Sequence, residues 1–212
     1  MKMTAKDVFD QLKLQPCYRS VSICDVKARC VEFSICATKS TYGIIDFDSY
    51  AHEYQNQKGI PNTPPSVDAV TITNSTQILL MIEKKTWYQF FNFQLSGSDV
   101  DKKKQIDDKV DEYTSEISDK YANTKVIISH CVKTPDVIDT IPHILIFLTE
   151  LSDKNPDPTS GFATILGLLA MTASFKIEEY TYNAMQKSIT ILPAPHSEYI
   201  HCKELDNFIL SH

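Results

Sequence analysis

The feature that most limits how this chain can fold is a pair of apolar runs joined by a short polar turn. The first run spans residues 68–73, and the second, residues 77–85, contains five consecutive apolar residues, Ile78 to Ile82. Short runs rich in Val, Ile and Thr that flank turn residues are typical of β-strands, so Asn74-Ser75-Thr76 predicts a tight turn and an antiparallel hairpin. The second run passes directly into Glu83-Lys84-Lys85, which places three charges where a sheet meets solvent.

The remaining patterns place this hairpin between helices and further strands. The region from Ser20 to Thr38 fits strands or a helical face, and strands are favoured. A polar connection follows at residues 51–66, where three prolines and one glycine argue against a regular element throughout. Helices are predicted at 4–14 with Thr4 as N-cap, 98–123 with Ser98 or Asp99 as N-cap, 162–187 and 202–210, and further strands at 41–50, 125–132, 142–151 and 188–192. The order predicts an α/β fold with a central mixed sheet flanked by helices.

Length and composition indicate one globular domain. The chain has 212 residues, 42% of them hydrophobic, with Ser152 to Ser160 as the clearest internal boundary. The prediction is a single domain over residues 1–212, with an N-terminal extension at 1–39, a core at about 40–151 and a C-terminal addition at 156–212. The longest apolar stretch, Phe162 to Ala173, is shorter than the roughly 20 residues that cross a bilayer, so we expect a cytoplasmic protein without a membrane partner.

Charge and cysteine content narrow the function only partly. A net charge of −6 argues against coating nucleic acid by bulk electrostatics, but it allows a local basic patch combined with a metal ion. The six cysteines are predicted to remain thiols in a reducing compartment. The dipeptides His130-Cys131 and His201-Cys202 leave a structural zinc site as an alternative.

Chemistry is most strongly indicated at the charged end of the hairpin. Because side chains alternate along a strand, Glu83 and Lys85 share a face and Lys84 lies on the other. Counting back from the turn places Asp68 roughly opposite Ile82, next to Glu83. Two close carboxylates repel unless a cation lies between them, and hard oxygen ligands suit Mg²⁺. Such a site would suit phosphodiester hydrolysis.

These residues resemble the signature of the PD-(D/E)xK nucleases, the restriction-endonuclease-like superfamily. The resemblance rests on Val67-Asp68 and Ile82-Glu83-Lys84-Lys85, with fourteen residues between Asp68 and Glu83, although Ser66 and Val67 separate Asp68 from Pro65. It implies a restriction-endonuclease-like core, in which a helix and another strand follow the hairpin. It also implies Asp68 and Glu83 as ligands of Mg²⁺ or Mn²⁺, the Lys84 carbonyl as a possible third ligand, and Lys85 as the catalytic lysine.

The resemblance therefore predicts a metal-dependent endonuclease with DNA as substrate, acting in restriction, repair or phage defence, and compatible with a homodimer. A further acidic ligand would come from Glu32 or Glu53. The alternative is a noncatalytic protein-binding or regulatory module, in which Asp68 begins a strand and Glu83 to Lys85 form a solvated strand end.

Overall fold

A computed structural model describes residues 2–26, 40–87, 89–151, 176–192, 194 and 196–212. Within these residues, six strands form one open mixed sheet in the order β1-β2-β3-β4-β5-β6, which confirms the α/β class. The strands are β1 Ser20–Ser22, β2 Gly43–Asp46, β3 Ala69–Ile72, β4 Leu79–Lys84, β5 His143–Thr149 and β6 Ser197–His201.

Strand direction changes in the middle of the sheet. Strands β1 to β4 form an antiparallel meander, whereas β5 runs parallel to β4 and β6 runs parallel to β5. Parallel neighbours require a crossover connection, and helices lie in the sequence between each pair. The helices are α1 Ala5–Lys13, α2 Asp48–Lys58, α3 Asp99–Cys131, α4 Ile177–Ile189 and α5 Leu205–Ser211, with short helical turns at Phe90–Gln94, Val137–Thr140 and Cys202–Glu204.

The two faces of the sheet are covered by different elements. Residues such as Val70, Met81 and Phe147 pack in one core with the apolar side chains of helices α1 to α4. Residues such as Leu80 and Ile146 point the opposite way and pack against α5 and the segment before residue 27. The face under α1 to α4 is the face on which Glu83 also lies, because Glu83 is two residues from Met81.

Two predicted helix starts are confirmed with their caps. The Thr4 side chain accepts a hydrogen bond from the Asp7 backbone N–H at 3.1 Å, and the Asp7 carboxylate accepts one from the Thr4 N–H at 2.9 Å. Ser98 and Asp101 make the same reciprocal pair at the start of α3. Each capping box satisfies N–H groups that the first turn of a helix leaves without an internal partner.

The expectation of an irregular connection at residues 51–66 is wrong over its first half. Helix α2 spans Asp48–Lys58, and its C-cap is Gly59 in the left-handed conformation, with φ +63°. All three prolines follow Gly59. They therefore shape the chain only after the helix has ended, and the stretch before Gly59 contains no residue that prevents a helix.

The strand predicted at residues 125–132 is also wrong, because α3 continues to Cys131. Thr124, Ile127 and Ile128 are buried at helical spacing, so tertiary packing overrides the strand preference of this β-branched stretch. At the C-terminus, residues 188–189 end α4 and no strand covers 188–192; the described strand there is β6. The predicted boundary at 152–160 and the first part of the 162–187 helix lie outside the described residues.

Candidate functional site

The register of the β3–β4 hairpin brings Asp68 and Glu83 side by side. Ala69 pairs with Ile82, so the next antiparallel pair is Asp68 with Glu83. The sequence-based count, which placed Asp68 opposite Ile82, is wrong by one residue. The loop contains one more residue than expected: Thr73 donates its N–H to the Ile78 carbonyl at 3.0 Å, and Gln77 adopts a positive φ of 51°.

Both carboxylates are fully buried. Asp68 and Glu83 are each 0% exposed. The Asp68 Oδ2 atom accepts a hydrogen bond from the backbone N–H of Lys84 at 2.8 Å, which holds this carboxylate at the end of β4. Buried carboxylates require a compensating charge, so their stability depends on the cations around them.

Among the residues that the structure describes, the nearest cation to this pair is Lys120 of helix α3. Its Nζ lies 2.6 Å from Glu83 Oε1 and 3.8 Å from Asp68 Oδ1, and its side chain is 13% exposed. Sequence reasoning missed Lys120. A signal was present in the helical spacing, since Lys120 follows Glu116 by four residues and lies beside the buried Ile117 and Tyr121.

Lys85 also belongs to this cluster. Its Nζ lies 3.6 Å from Glu83 Oε1 and 4.6 Å from the centre of the Tyr113 ring, and it forms an ion pair with Glu116. Burial would raise the pKa of Glu116, but the hydrogen bond and charge of Lys85, with the charges of Lys120 and Lys109, hold that pKa below its ordinary value. Glu116 is therefore an anion paired with Lys85.

The Lys84 side chain lies on the opposite face of the sheet, as strand alternation predicts. Its Nζ donates to the carbonyl oxygens of Ile23 at 3.2 Å and Val26 at 3.0 Å. The backbone of Lys84 nevertheless reaches the site, because its N–H holds Asp68. The assignment of the Lys84 carbonyl as a metal ligand stays a prediction.

Of the two other acids considered from the sequence, the structure describes only Glu53. Glu53 lies on α2, where it accepts a hydrogen bond from Gln57 and lines a separate cavity of about 660 Å³ with His130 and Cys131. Glu32 lies outside the described residues. A third carboxylate, that of Glu116 on α3, joins the cluster through its ion pair with Lys85.

The donor atoms of the cluster suit a hard divalent cation. Across the described ranges, which include His130-Cys131 and His201-Cys202, no group of three or more His, Cys, Asp or Glu side chains is arranged to hold a metal ion. Asp68 and Glu83 nevertheless supply two carboxylates to one small region, and the Lys120 ammonium contacts both. Mg²⁺ is commonly bound by one or two carboxylates with several retained waters, so this pair fits Mg²⁺ or Mn²⁺.

No family model, curated protein or solved structure matches this chain.

Among the helices that the structure describes, none is long and apolar enough to cross a membrane. Cys17, Cys24, Cys131 and Cys202 are free thiols.

Proposed function

We propose that this protein is a metal-dependent endonuclease that hydrolyses phosphodiester bonds of DNA on a restriction-endonuclease-like core. The observation that carries the proposal is the meeting of Asp68 and Glu83 from adjacent strands, with Lys85 Nζ 3.6 Å from Glu83 Oε1. Chain order adds support, because the hairpin is followed by helix α3 and by β5, which runs parallel to β4. Restriction, repair and phage defence are the settings in which such an activity would serve.

The proposed roles follow from charge and position. Asp68 and Glu83 would hold Mg²⁺ or Mn²⁺, with the Lys84 carbonyl as a third ligand. A bound divalent ion supplies Lewis-acid stabilisation of phosphoryl charge and lowers the pKa of a bound water. The Lys85 ammonium would orient the attacking water or stabilise the negative charge that develops on the phosphoryl oxygens.

Burial sets a condition on this proposal. Asp68 and Glu83 are 0% exposed, whereas the side chains of Lys85 and Lys120 are 17% and 13% exposed. A phosphodiester would therefore approach from the side of the two lysines. Contact with Lys85 would require its ion pair with Glu116 to open, which makes α3 part of the substrate path.

The test is cleavage of supercoiled and linear DNA by purified protein in Mg²⁺, in Mn²⁺ and in EDTA. We expect metal-dependent cleavage that is lost in Asp68→Asn, Glu83→Gln and Lys85→Ala, each shown to be folded by circular dichroism. Lys104→Ala is the matched control, because Lys104 is exposed on α3 and pairs with Asp108 four residues away. Cleavage that persists in EDTA and in Lys85→Ala would contradict the proposal.

The second candidate is a noncatalytic protein-binding or regulatory module. The observation that favours it is the complete burial of both carboxylates against a lysine, which would also be a way to fix β3 and β4 against α3. This candidate predicts no cleavage by the wild type in either metal.

Light scattering after gel filtration would show whether the chain forms the homodimer that paired cuts on two strands require.

A further inference from the structure

Helix α3 delivers one ammonium group to the position that a metal ion would take. Lys120 Nζ lies 2.6 Å from Glu83 Oε1 and 3.8 Å from Asp68 Oδ1, so a single cation contacts both carboxylates. Its helix is held in place on the same turn, since Ile117 and Tyr121 are buried in the core. Lys120 is therefore directed at the pair by a packed helix.

Charge balance shows why this lysine and a divalent ion would oppose each other. At their formal charges, Asp68, Glu83 and Glu116 supply three negative charges, and Lys85 and Lys120 supply two positive charges, which leaves one negative charge in the cluster. A divalent ion at the two carboxylates would lie close to the Lys120 ammonium. Two cations that lie close together in a buried site repel each other strongly. The divalent ion and the Lys120 ammonium therefore cannot both contact Asp68 and Glu83 as closely as either cation could alone.

We propose that Lys120 is a positioning residue that holds Asp68 and Glu83 in the metal-free protein and competes with the divalent ion for them. This inference rests on the proposed metal site at these two residues. Loading of the site requires the Lys120 ammonium to withdraw from Glu83 Oε1. A divalent ion would change the charge of the cluster from one negative to one positive, which would favour the approach of an anionic phosphodiester.

The experiment is a calorimetric titration of the full chain with Mn²⁺, in wild type and in Lys120→Met, together with the melting temperature of each protein with and without Mn²⁺. We expect the variant to bind Mn²⁺ at least about ten-fold more tightly than wild type. Without metal, we expect the melting temperature of Lys120→Met to be lower than that of wild type. On adding Mn²⁺, the melting temperature of the variant should rise more than that of wild type, because a ligand that binds only the native state stabilises that state.

Two further variants keep the inference testable. Lys104→Met should bind Mn²⁺ as wild type does, because its side chain is exposed and remote in sequence from Lys120. Glu83→Gln combined with Lys120→Met should lose the tightened binding, which would locate it at this pair. Lys120→Gln replaces Lys120→Met if the methionine variant does not fold.

The outcomes separate this inference from the proposed function. Unchanged or weaker Mn²⁺ binding in Lys120→Met overturns the competition, even if the wild type cleaves DNA. Tighter binding in the variant, with no cleavage by the wild type, supports the competition and contradicts the nuclease. Absence of Mn²⁺ binding in both wild type and Lys120→Met overturns both the competition and the proposed metal-dependent nuclease.

Discussion

Replacing Lys120 by methionine should lower the free energy of unfolding of the metal-free protein by about 3 kcal/mol. Methionine retains a long, unbranched side chain with good helix propensity, so α3 itself should be preserved. The substitution removes the ammonium that contacts Glu83 and Asp68, both of which are 0% exposed. Breaking a buried ion pair from one side is costly because the remaining charge stays in a poorly solvated site.

The magnitude follows from the distances around the two carboxylates. With an effective dielectric constant of about 20, the contacts of 2.6 Å and 3.8 Å correspond to gross attractions of about 6 and about 4 kcal/mol. Desolvation of each ion, at several kcal/mol, offsets most of that attraction. Lys85 stays 3.6 Å from Glu83 Oε1, and the Lys84 N–H stays 2.8 Å from Asp68 Oδ2. These retained contacts place the loss near the lower end of the range of about 3–5 kcal/mol for a broken buried pair.

The assay is urea unfolding in EDTA at neutral pH, followed by circular dichroism and by the fluorescence of Trp87, the single tryptophan of the chain. Lys104→Met is the control, and its unfolding midpoint should equal that of wild type. In a double-mutant cycle, Glu83→Gln and Lys120→Met should together cost less than the sum of the single changes, by about 1–3 kcal/mol. A loss below about 1 kcal/mol for Lys120→Met, or strict additivity, would refute the reasoning from a buried pair.

Three further predictions test other parts of the fold. Burial lowers the pKa of His143, whose Nε2 lies 2.8 Å from the Tyr121 hydroxyl. The contribution of the neutral His143 to the free energy of unfolding should therefore be complete above about pH 6.5 and should decrease as the pH falls below that value. Urea titrations at several pH values should show a weaker dependence of the free energy of unfolding on pH for His143→Gln than for wild type. Burial raises the pKa of the Cys131 thiol to about 12, so iodoacetamide at pH 8 should alkylate Cys131 more slowly in the native protein than in urea, as measured by mass spectrometry. Gly59→Ala should lower the free energy of unfolding by about 1 kcal/mol. An added Cβ would meet open space, so the loss comes only from placing a non-glycine residue at φ +63°. Gly59→Asn should lower the free energy of unfolding by less in the same urea assay, because asparagine tolerates the left-handed conformation better than alanine.

The sequence predicted the hairpin well because its signals are local. Two apolar runs, a polar turn and charges at the strand end all lie within residues 68–85, and β3 and β4 pair as expected apart from one residue of register. That register error arose at Gln77, whose positive φ lengthens the loop. No glycine or asparagine marked this position, so side-chain type gave no warning of the left-handed conformation.

Long-range packing explains the elements that the sequence did not predict. Residues 125–131 have the β-branched composition of a strand, but they continue α3, because Ile127 and Ile128 complete a buried helical stripe that begins at Ile106. A short window around residue 128 contains no information about that stripe. Extending the helical periodicity from Ser98 without stopping at Asn123 would have found it.

Lys120 was missed for a related reason. Its chain position, 37 residues after Glu83, places it in a helix with many charges, where a solvated role is the usual one. Its contact with Glu83 depends on how α3 crosses the sheet, which follows from the packing of Ile117 and Tyr121 and not from any pattern near residue 83. A site assembled from a hairpin and a distant helix can therefore be predicted only in its hairpin half.

The cluster itself is difficult to explain by stability alone. A buried set of charges costs desolvation, and replacing such a set by well-packed apolar residues is often neutral or stabilising. Asp68 immediately precedes β3 and Glu83 lies in β4, where its neighbours on the same face include the apolar side chains of Met81 and Phe147. Retaining two carboxylates there gives the protein a pair of oxygen ligands that apolar residues cannot supply. The response of Mn²⁺ affinity to Lys120→Met is the measurement that separates a ligand-binding role of the cluster from a purely structural ion pair.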